Sequence, residues 1–342
     1  MDILNNPYRG AGLDNPDLAG IPYPSTDAET PLALIARCPE ARETPLVTHE
    51  LFGTRAWIKD ESGRMGLGSF KALGAAYVIA HLARETGATP MTGALRGRTF
   101  VTSSAGNHGL SVAAGARVFG ARGVIYLSHE VPEGFARRLE AEGAEVVREG
   151  RDYAASMEAA QRAARENDWT LLLDTSWGGY TELPHRLMEG YLVMAAEAAR
   201  QIPEPPTHIL LQAGVGGLAG ALAAYFRKVW GDDPRIVVVE PDRAPALHHS
   251  IREGRSVLTE GATSDMGRLD CKEPSLIALK GLARDADAFA LISEEEAFAV
   301  LEPLEAIGLP TSTSGGAGLA ALAQLEPGPD ARVLAILSEG PA

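Results

Sequence analysis

One lysine stands where a cation is electrostatically unusual. Ser69-Phe70-Lys71 follows a turn that holds three glycines within six residues, and a helix is predicted from about Ala72. The positive end of a helix dipole disfavours an ammonium group at this position. Two interpretations are open. Lys71 is either a solvated surface lysine or a lysine held as a neutral imine with an aldehyde, for which the position is no longer costly.

A second segment, residues 102–109 (TSSAGNHG), joins a predicted strand to a predicted helix. Its small residues let a ligand approach the backbone, and the free N–H groups of the helix start are donors for a carboxylate. Asn107 is either an ordinary helix cap or a ligand contact. His108 is interpreted as a structural residue of the helix start, without a catalytic role.

A glycine-rich turn, residues 212–220 (QAGVGGLAG), follows an apolar strand and opens a helix. Such a turn binds a phosphate through backbone amides and the helix dipole, without a basic side chain. It also matches the Gly-x-Gly-x-x-Ala dinucleotide fingerprint from Gly214, with Glu240 at the ribose-binding distance. A dinucleotide enzyme is therefore an alternative, although it leaves the lysine and asparagine segments unexplained.

Polar residues also follow the ends of other predicted strands. Asp174 closes one strand and is followed by glycines and aromatics up to Tyr180. It is either a turn-forming residue or a ligand contact. The second interpretation is open because open parallel sheets bind ligands at the carboxyl ends of their strands. Near the chain end, hydroxyl residues at 311–314 precede a predicted helix, and Ser338 follows the last predicted strand. Each of these hydroxyl groups is either a helix cap or a ligand contact.

The candidate motifs lie between predicted strands and helices. Along the chain, apolar runs of strand length alternate with amphipathic stretches. The predicted strands are residues 100–103, 123–127, 145–147, 170–174, 208–212, 235–240 and 333–337; the predicted helices include 108–119, 133–142, 153–166 and 218–230. Such alternation is typical of parallel sheets covered by helices on both faces. Residues 1–45 predict an extended arm. Residues 254–274 show no hydrophobic periodicity of a helix or a strand. A long irregular segment of this kind inside a compact α/β protein indicates a functional role.

Composition narrows the functional classes. The 342 residues are 45% hydrophobic and 22% charged, which is typical of a globular protein, and no apolar run is long enough for a membrane span. The net charge of −14 disfavours nucleic acid and anionic membranes as partners. The two cysteines form no metal-binding pattern, and the N-terminus shows no secretory signal, so a cytoplasmic location is expected.

Taken in chain order, four motifs resemble the fold-type II pyridoxal-phosphate enzymes, the superfamily of threonine dehydratase, tryptophan synthase β and cysteine synthase. They are the SFK lysine, the SSAGNHG turn, the GVGGLAG loop and the serine after the last strand. Within this superfamily the chain is most similar to the diaminopropionate ammonia-lyase family. That similarity rests on residues 174–191, 264–275 and 337–340.

The resemblance implies an α/β fold of two open parallel-sheet domains with helices on both faces. The large cofactor domain is expected at 1–73 plus 178–342, and the small substrate-side domain at 74–177. A homodimer and the cofactor pyridoxal 5'-phosphate are also implied. The implied reaction is α,β-elimination from a β-substituted amino acid, giving a 2-oxo acid and ammonia.

The resemblance also implies roles for individual residues. Lys71 would carry the cofactor and act as base on an L-amino acid, and Asp174 would position or protonate a leaving amine. The other expected cofactor contacts are Phe70, Asn107, Gly214, Val215, Gly216, Gly217, Leu218 and Ser338. The expected substrate contacts are Ser103, Ser104, Ala105, Gly106 and Tyr180.

The sequence departs from the family pattern at two positions. The family carries Asp where this chain has Ala105, and that Asp is assigned as the base for one substrate enantiomer. Arg268 replaces a small residue, a change that bears on what binds. A dehydratase of β-hydroxy amino acids and a catalytically inactive binding protein of the same fold are the further alternatives.

Overall fold

The computed structural model describes residues 1–328 and 330–341. The strands are β1 (Asp2–Asn5), β2 (Leu46–Leu51), β3 (Thr54–Asp60), β4 (Thr99–Ser103), β5 (Arg122–Leu127), β6 (Glu145–Arg148), β7 (Thr170–Leu171), β8 (His208–Gln212), β9 (Arg235–Pro241), β10 (Ala288–Ile292) and β11 (Arg332–Leu337). The helices are α1 (Glu29–Ile35), α2 (Lys71–Glu85), α3 (Asn107–Phe119), α4 (Glu133–Ala141), α5 (Tyr153–Asn167), α6 (Glu182–Gln201), α7 (Gly217–Trp230), α8 (Ala246–Glu253), α9 (Leu276–Asp285), α10 (Glu294–Ala299), α11 (Leu301–Ala306) and α12 (Ala317–Leu325).

Seven strands form the larger sheet, in the order β1-β10-β9-β8-β11-β3-β2. Its five central strands are parallel, and both edge strands run antiparallel to their neighbours. At one edge, β2 and β3 are joined by Phe52 and Gly53, whose φ angles are 51° and 73°. Two such residues make a tight hairpin turn, which joins only antiparallel strands.

Four strands form the smaller sheet, in the order β6-β5-β4-β7, and all its pairs are parallel. Its two central strands are covered on both faces, since β4 and β5 consist almost wholly of buried residues, whereas the edge strands β6 and β7 are partly exposed. All four strands come from residues 99–171, inside the range predicted for the small domain. The exact division of the chain into domains stays a prediction.

Most of the elements that the apolar runs predicted lie within one or two residues of the observed ones, but three points need correction. The strand predicted over 170–174 ends at Leu171, because only its first two residues pair with β4. Strands β1, β2, β3 and β10 were not predicted. The first 45 residues are only partly an extended arm, since β1 joins the large sheet and α1 is helical.

In the described chain, no helix is long and apolar enough to cross a membrane.

A buried cluster of charges holds the segment that leads to Lys71. Glu197 on α6 contacts Lys59 Nζ at 2.8 Å and Arg64 Nη2 at 2.6 Å, and Arg64 Nη2 also lies 2.7 Å from Glu61 Oε1. At least 95% of each of these side chains is buried. The two cations and two anions balance, so the cluster ties the 61–70 loop to α6 without leaving net charge inside.

Replacing Glu197 with alanine should lower the free energy of unfolding by about 3–5 kcal/mol, because it leaves Lys59 and Arg64 buried with too few anions. Glu142→Ala is the control, since Glu142 pairs with an Arg117 side chain that is 57% exposed. That exposed pair should contribute no more than about 1 kcal/mol. Chemical denaturation of both variants makes the comparison. Equal, small losses of unfolding free energy in the two variants would show that the buried cluster stabilises the protein no more than the exposed pair does.

Candidate active site

Lys71 and Asp174 form an ion pair at the interface between the two sheets. Lys71 is the first residue of α2, and Asp174 lies three residues beyond the end of β7. Lys71 Nζ donates a hydrogen bond to Asp174 Oδ2, and the two side chains are 20% and 23% exposed. The sequence placed these residues in separate motifs 103 positions apart, and the fold brings them into contact.

The charges of this pair stabilise each other against the cost of burial. Burial alone favours the neutral forms, but the Asp174 carboxylate raises the pKa of Lys71. In the same way, burial favours protonation of Asp174, but the Lys71 ammonium holds its pKa below the usual range. Without a ligand, the lysine is therefore an ammonium and the aspartate a carboxylate.

Three rings surround the lysine. The Phe70 ring lies 5.2 Å from Lys71 Nζ and 4.9 Å from the Tyr191 ring. His108 is buried, and burial lowers its pKa, so its neutral ring donates from Nε2 to the Leu172 carbonyl at 2.9 Å. This contact fits the structural role expected for His108.

The segment after β11 is bonded to the loop that precedes Lys71. The Phe70 N–H donates to the Ser338 carbonyl at 3.1 Å, and the Gly340 N–H donates to the Gly68 carbonyl at 3.1 Å. These bonds place the buried Ser338 beside the lysine segment. Two motifs at opposite ends of the chain thus meet at the carboxyl end of the large sheet.

Asn107 is oriented by a buried carboxylate that the sequence did not single out. Asn107 Nδ2 donates to Glu339 Oε2, and Ser312 Oγ donates to Glu339 Oε1. Arg268 Nε lies 2.8 Å from Glu339 Oε2. Burial raises the pKa of Glu339, and the ion pair with Arg268 opposes that rise. Arg268 comes from the irregular 254–274 segment, so the loss of periodicity there does mark a contribution to the site.

The small-residue turn precedes α3 as predicted. Ser104 Oγ accepts a hydrogen bond from the Gly106 N–H at 3.3 Å, which shapes the turn. Ser103 is buried, and its hydroxyl bonds to Ser156 at 3.3 Å. The turn leaves the backbone around Ala105 and Gly106 partly exposed, where a substrate carboxylate has access to it.

The glycine turn presents a row of backbone donors at the start of α7. Among the described residues, the N–H groups of Gly214 through Leu218 donate to no protein oxygen. A methyl group placed on Gly217 would lie 3.7 Å from Tyr191 Cε2 and 3.8 Å from the Asp174 carbonyl. The turn therefore lies against the same residues that surround Lys71.

Two expectations change in the structure. The Tyr180 hydroxyl donates to the Leu171 carbonyl at 2.9 Å and accepts from the Leu173 N–H at 3.0 Å, so it braces the segment before Asp174 instead of facing a substrate. Glu240 is fully buried and accepts two N–H bonds at the start of α8; burial raises its pKa to about 8. A carboxylate engaged in this way is not free to bind a ribose, which removes the main support for a dinucleotide.

Tyr191 and Glu339 were not predicted from the sequence as site residues. Tyr191 lies in the middle of α6 among apolar residues, where its periodicity is that of a core position. Glu339 follows Ser338 directly, and a buried carboxylate next to a strand end has no distinct local pattern. Only the tertiary contacts described above identify these two residues.

The chain belongs to the family of pyridoxal-phosphate dependent enzymes, whose family model matches residues 38–339. The diaminopropionate ammonia-lyase of Escherichia coli strain K12 is 34% identical over 343 residues, covering 87% of this chain and 84% of that protein. The family resemblance, the fold class and the cofactor predicted from the sequence are thereby confirmed.

Comparison with solved structures also indicates a pyridoxal-phosphate dependent enzyme. The Escherichia coli diaminopropionate ammonia-lyase in complex with an aminoacrylate-PLP azomethine reaction intermediate matches with a TM-score of 0.87 and 30% identity, covering 99% of this chain and 93% of that one. The processed threonine deaminase isoform 2 of Solanum lycopersicum matches with a TM-score of 0.82 at 20% identity, covering 99% and 93%. At that identity the second match shows the shared fold alone.

The residues of this site fit pyridoxal phosphate. The cofactor needs an amine for its aldehyde and donors for its phosphate, and the structure offers Lys71 and the unpaired amides of the glycine turn side by side. Amides at the start of a 14-residue helix suit a phosphate in a protein of net charge −14, because they need no cationic side chain.

Replacing Gly216 with alanine should weaken cofactor binding at least about tenfold, because its φ of 94° and its neighbours both resist a side chain. A methyl group there would lie 2.9 Å from Ala278 Cβ and from Leu247 Cδ1. Gly231→Ala at the other end of α7 is the matched control, with a φ of 61° and no atom within 4 Å of a methyl group. Titration of both variants with pyridoxal phosphate tests the difference; equal affinities would contradict the assignment of the turn.

Proposed function

We propose that this chain is a lyase that removes the β-amino group of 2,3-diaminopropionate by α,β-elimination. In the overall reaction, one diaminopropionate and one water give one pyruvate and two ammonia. The observation that carries the proposal is the Lys71–Asp174 pair beside the free amides of the glycine turn. The similarity to diaminopropionate ammonia-lyase over most of the chain supports the choice of substrate.

Lys71 holds the cofactor and then serves as the base. Pyridoxal phosphate, when bound, draws electron density from the substrate Cα and makes the Cα–H bond acidic. Once its ε-amine is released by the incoming substrate, Lys71 Nζ takes the Cα proton of an L-amino acid. In this proposal Phe70 packs against the cofactor ring, while Asn107 and Ser338 bond to its polar atoms.

Asp174 supplies the proton that the leaving amine needs. Burial is the largest influence on its pKa and favours the protonated form; Lys71 opposes it only while the lysine carries a charge. When Lys71 is neutral, the Asp174 carboxyl is therefore a competent acid. The proton that Lys71 Nζ takes from Cα has a direct route through Asp174 Oδ2 to the departing nitrogen.

The substrate is oriented by charge at two places. The backbone of residues 104–106 is expected to bind the α-carboxylate, because it is partly exposed and leads into the N-terminus of α3. A β-ammonium group that lies beside Asp174 favours the carboxylate form of its side chain and forms an ion pair with it, whereas a β-hydroxyl group gives no such gain. Together these contacts favour a diamino acid over serine or threonine.

Product stoichiometry separates the two elimination reactions. The enzyme should release two ammonia per pyruvate from L-diaminopropionate, whereas L-serine or L-threonine would give one ammonia per 2-oxo acid. We expect kcat/KM for L-diaminopropionate to exceed that for each hydroxy amino acid, hydroxyaspartate included, by at least about tenfold. A higher kcat/KM for a hydroxy amino acid would make the chain a dehydratase instead.

We expect the enzyme to act on L-diaminopropionate and to be at least about a hundredfold slower on the D-enantiomer, because Ala105 supplies no base on the second face of Cα. The Ala105→Asp variant should gain activity on the D-enantiomer while keeping activity on the L-enantiomer. Assays with each pure enantiomer measure both effects. Equal rates of the unmodified enzyme on the two enantiomers would show that another residue serves as the second base.

We also propose that the enzyme works in the cytoplasm as a homodimer. The family resemblance supports the dimer, and the two free cysteines are compatible with a reducing compartment. Sedimentation equilibrium of the cofactor-loaded protein tests the dimer, and a monomer at micromolar concentration would contradict it.

A further inference from the structure

Tyr191 is a buried phenol whose hydroxyl has no partner among the described residues. Its side chain is 1% exposed and lies in the middle of α6, the helix that packs against both α2 and α7. Buried hydroxyl groups are normally hydrogen-bonded, because an unpaired one loses its bonds to water without replacement. An unpartnered hydroxyl beside a binding site therefore indicates that the missing partner is a ligand.

One glycine provides the space for this ring. A methyl group on Gly74, on the lysine helix α2, would lie 2.8 Å from Tyr191 Cε1 and would clash with it. On the opposite edge, a methyl group on Gly217 would lie 3.7 Å from Tyr191 Cε2, which is ordinary contact distance and shows that the ring lies against the glycine turn. The ring is thus held between the helix that carries Lys71 and the turn that offers free amides, with the tilted Phe70 ring 4.9 Å away.

The chemistry of the phenol suits an anion. Burial raises the pKa of Tyr191 and the nearby Lys71 opposes that rise, so the phenol lies close to the lysine, stays protonated and acts as a donor. The side chains nearest to Gly214, Gly216 and Gly217 are otherwise apolar or the Cys271 thiol, whose pKa burial raises to about 12. Tyr191 is the one hydroxyl group among these nearest neighbours.

We propose that the Tyr191 hydroxyl donates a hydrogen bond to the phosphate group of the bound pyridoxal phosphate, alongside the amides of the glycine turn. This inference rests on the proposed binding of the cofactor at Lys71. It adds a side-chain donor from α6 to a phosphate site otherwise made of backbone. It also explains why an aromatic residue with a polar end occupies a core position of that helix.

The test compares Tyr191→Phe with Tyr77→Phe, a matched control. Tyr77 is also fully buried with an unpartnered hydroxyl, but its ring lies 5.9 Å from His81, and the side chains that influence its pKa are Arg186 and Glu189 rather than residues of the glycine turn. Both variants remove one oxygen atom without changing the ring. Neither is expected to lower the melting temperature of the cofactor-free protein, because no protein bond is lost.

The two probes are pyridoxal phosphate and pyridoxal, which has the aldehyde but no phosphate. Tyr191→Phe should raise the Kd for pyridoxal phosphate about 10- to 100-fold, the range for a hydrogen bond to a charged group, and leave the Kd for pyridoxal unchanged. Tyr77→Phe should change neither Kd. Equal losses for both probes would place the hydroxyl at Lys71 rather than at the phosphate, and no loss for either probe would also overturn the inference.

Failure of this inference is distinct from failure of the proposed function. If the unmodified protein binds pyridoxal phosphate at Lys71 and Tyr191→Phe binds it equally well, only the role of Tyr191 is wrong. If the unmodified protein binds no pyridoxal phosphate, the proposed function itself is wrong and Tyr191 has no phosphate to bind.

Discussion

Replacing Lys71 with alanine should reduce ammonia release from diaminopropionate by at least about a thousandfold and remove the visible absorption of the purified protein. The variant loses both the amine that bonds to the cofactor and the base that takes the Cα proton, each of which contributes a large factor. Turnover and the absorption spectrum, measured on the same preparation, test both losses.

Lys228→Ala is the control for this variant. Lys228 is an exposed lysine on α7 whose Nζ bonds to the Thr26 carbonyl at 3.0 Å, outside the site. Its loss should leave both the spectrum and the rate unchanged. If Lys71→Ala retained full activity, neither the covalent link nor the base would be at position 71. If neither protein turned over any β-substituted amino acid, the chain would be a binding protein of this fold.

Replacing Asp174 with asparagine should lower kcat for diaminopropionate by about 10²- to 10⁴-fold, because the leaving amine loses its proton donor. The loss should be smaller for a substrate with a better leaving group, such as β-chloroalanine, which departs without protonation. The ratio of the two effects separates a role in proton transfer from a general loss of structure. Asp168→Asn, the same change at an exposed helix end, should affect neither substrate.

The same variant should change how the protein takes up its cofactor. In the unmodified protein Asp174 keeps Lys71 protonated, and a protonated amine does not bond to an aldehyde. Uptake of pyridoxal phosphate should therefore accelerate as the pH rises towards the raised pKa of Lys71. In Asp174→Asn only burial acts strongly on the lysine and favours the neutral amine, so uptake near pH 7 should be faster than in the unmodified protein. Slower uptake by the variant would contradict this account of the pair.

The pair also links stability to pH in the cofactor-free protein. Lys71 has a raised pKa, so its contribution is present below the ordinary lysine pKa and is lost as pH rises through the folded value. Asp174 has a lowered pKa, so its contribution is present above the ordinary aspartate pKa and is lost as pH falls through the folded value. Between these limits both contributions are retained.

Local chain requirements made part of the site predictable from the sequence. The glycine turn from Gly214 needs small residues between a strand and a helix, and Lys71 stands out because a cation at a helix start is unusual. Seven of the eleven described strands were predictable because they are apolar runs, as in β8 and β5. These features are set within a few residues of the chain.

The remaining features depend on contacts between distant segments. The Tyr191 ring has space beside α2 because Gly74 lacks a side chain, and Glu339 orients Asn107 across 232 residues of sequence. Tyr180 was expected to face the substrate, but the short β7 leaves backbone groups near Leu171 that its hydroxyl satisfies instead. No local pattern reports such contacts, and the antiparallel edge strand β1 was missed for the same reason, because it pairs with β10 near the other end of the chain.

The most direct test of the account is the position of the covalent link to the cofactor. The freshly isolated protein should absorb visible light, lose that absorption on treatment with borohydride, and yield a single modified peptide carrying a pyridoxyl-phosphate group on Lys71. A colourless protein that takes up no added pyridoxal phosphate, or a pyridoxyl group found on another lysine, would contradict the assignment of this site.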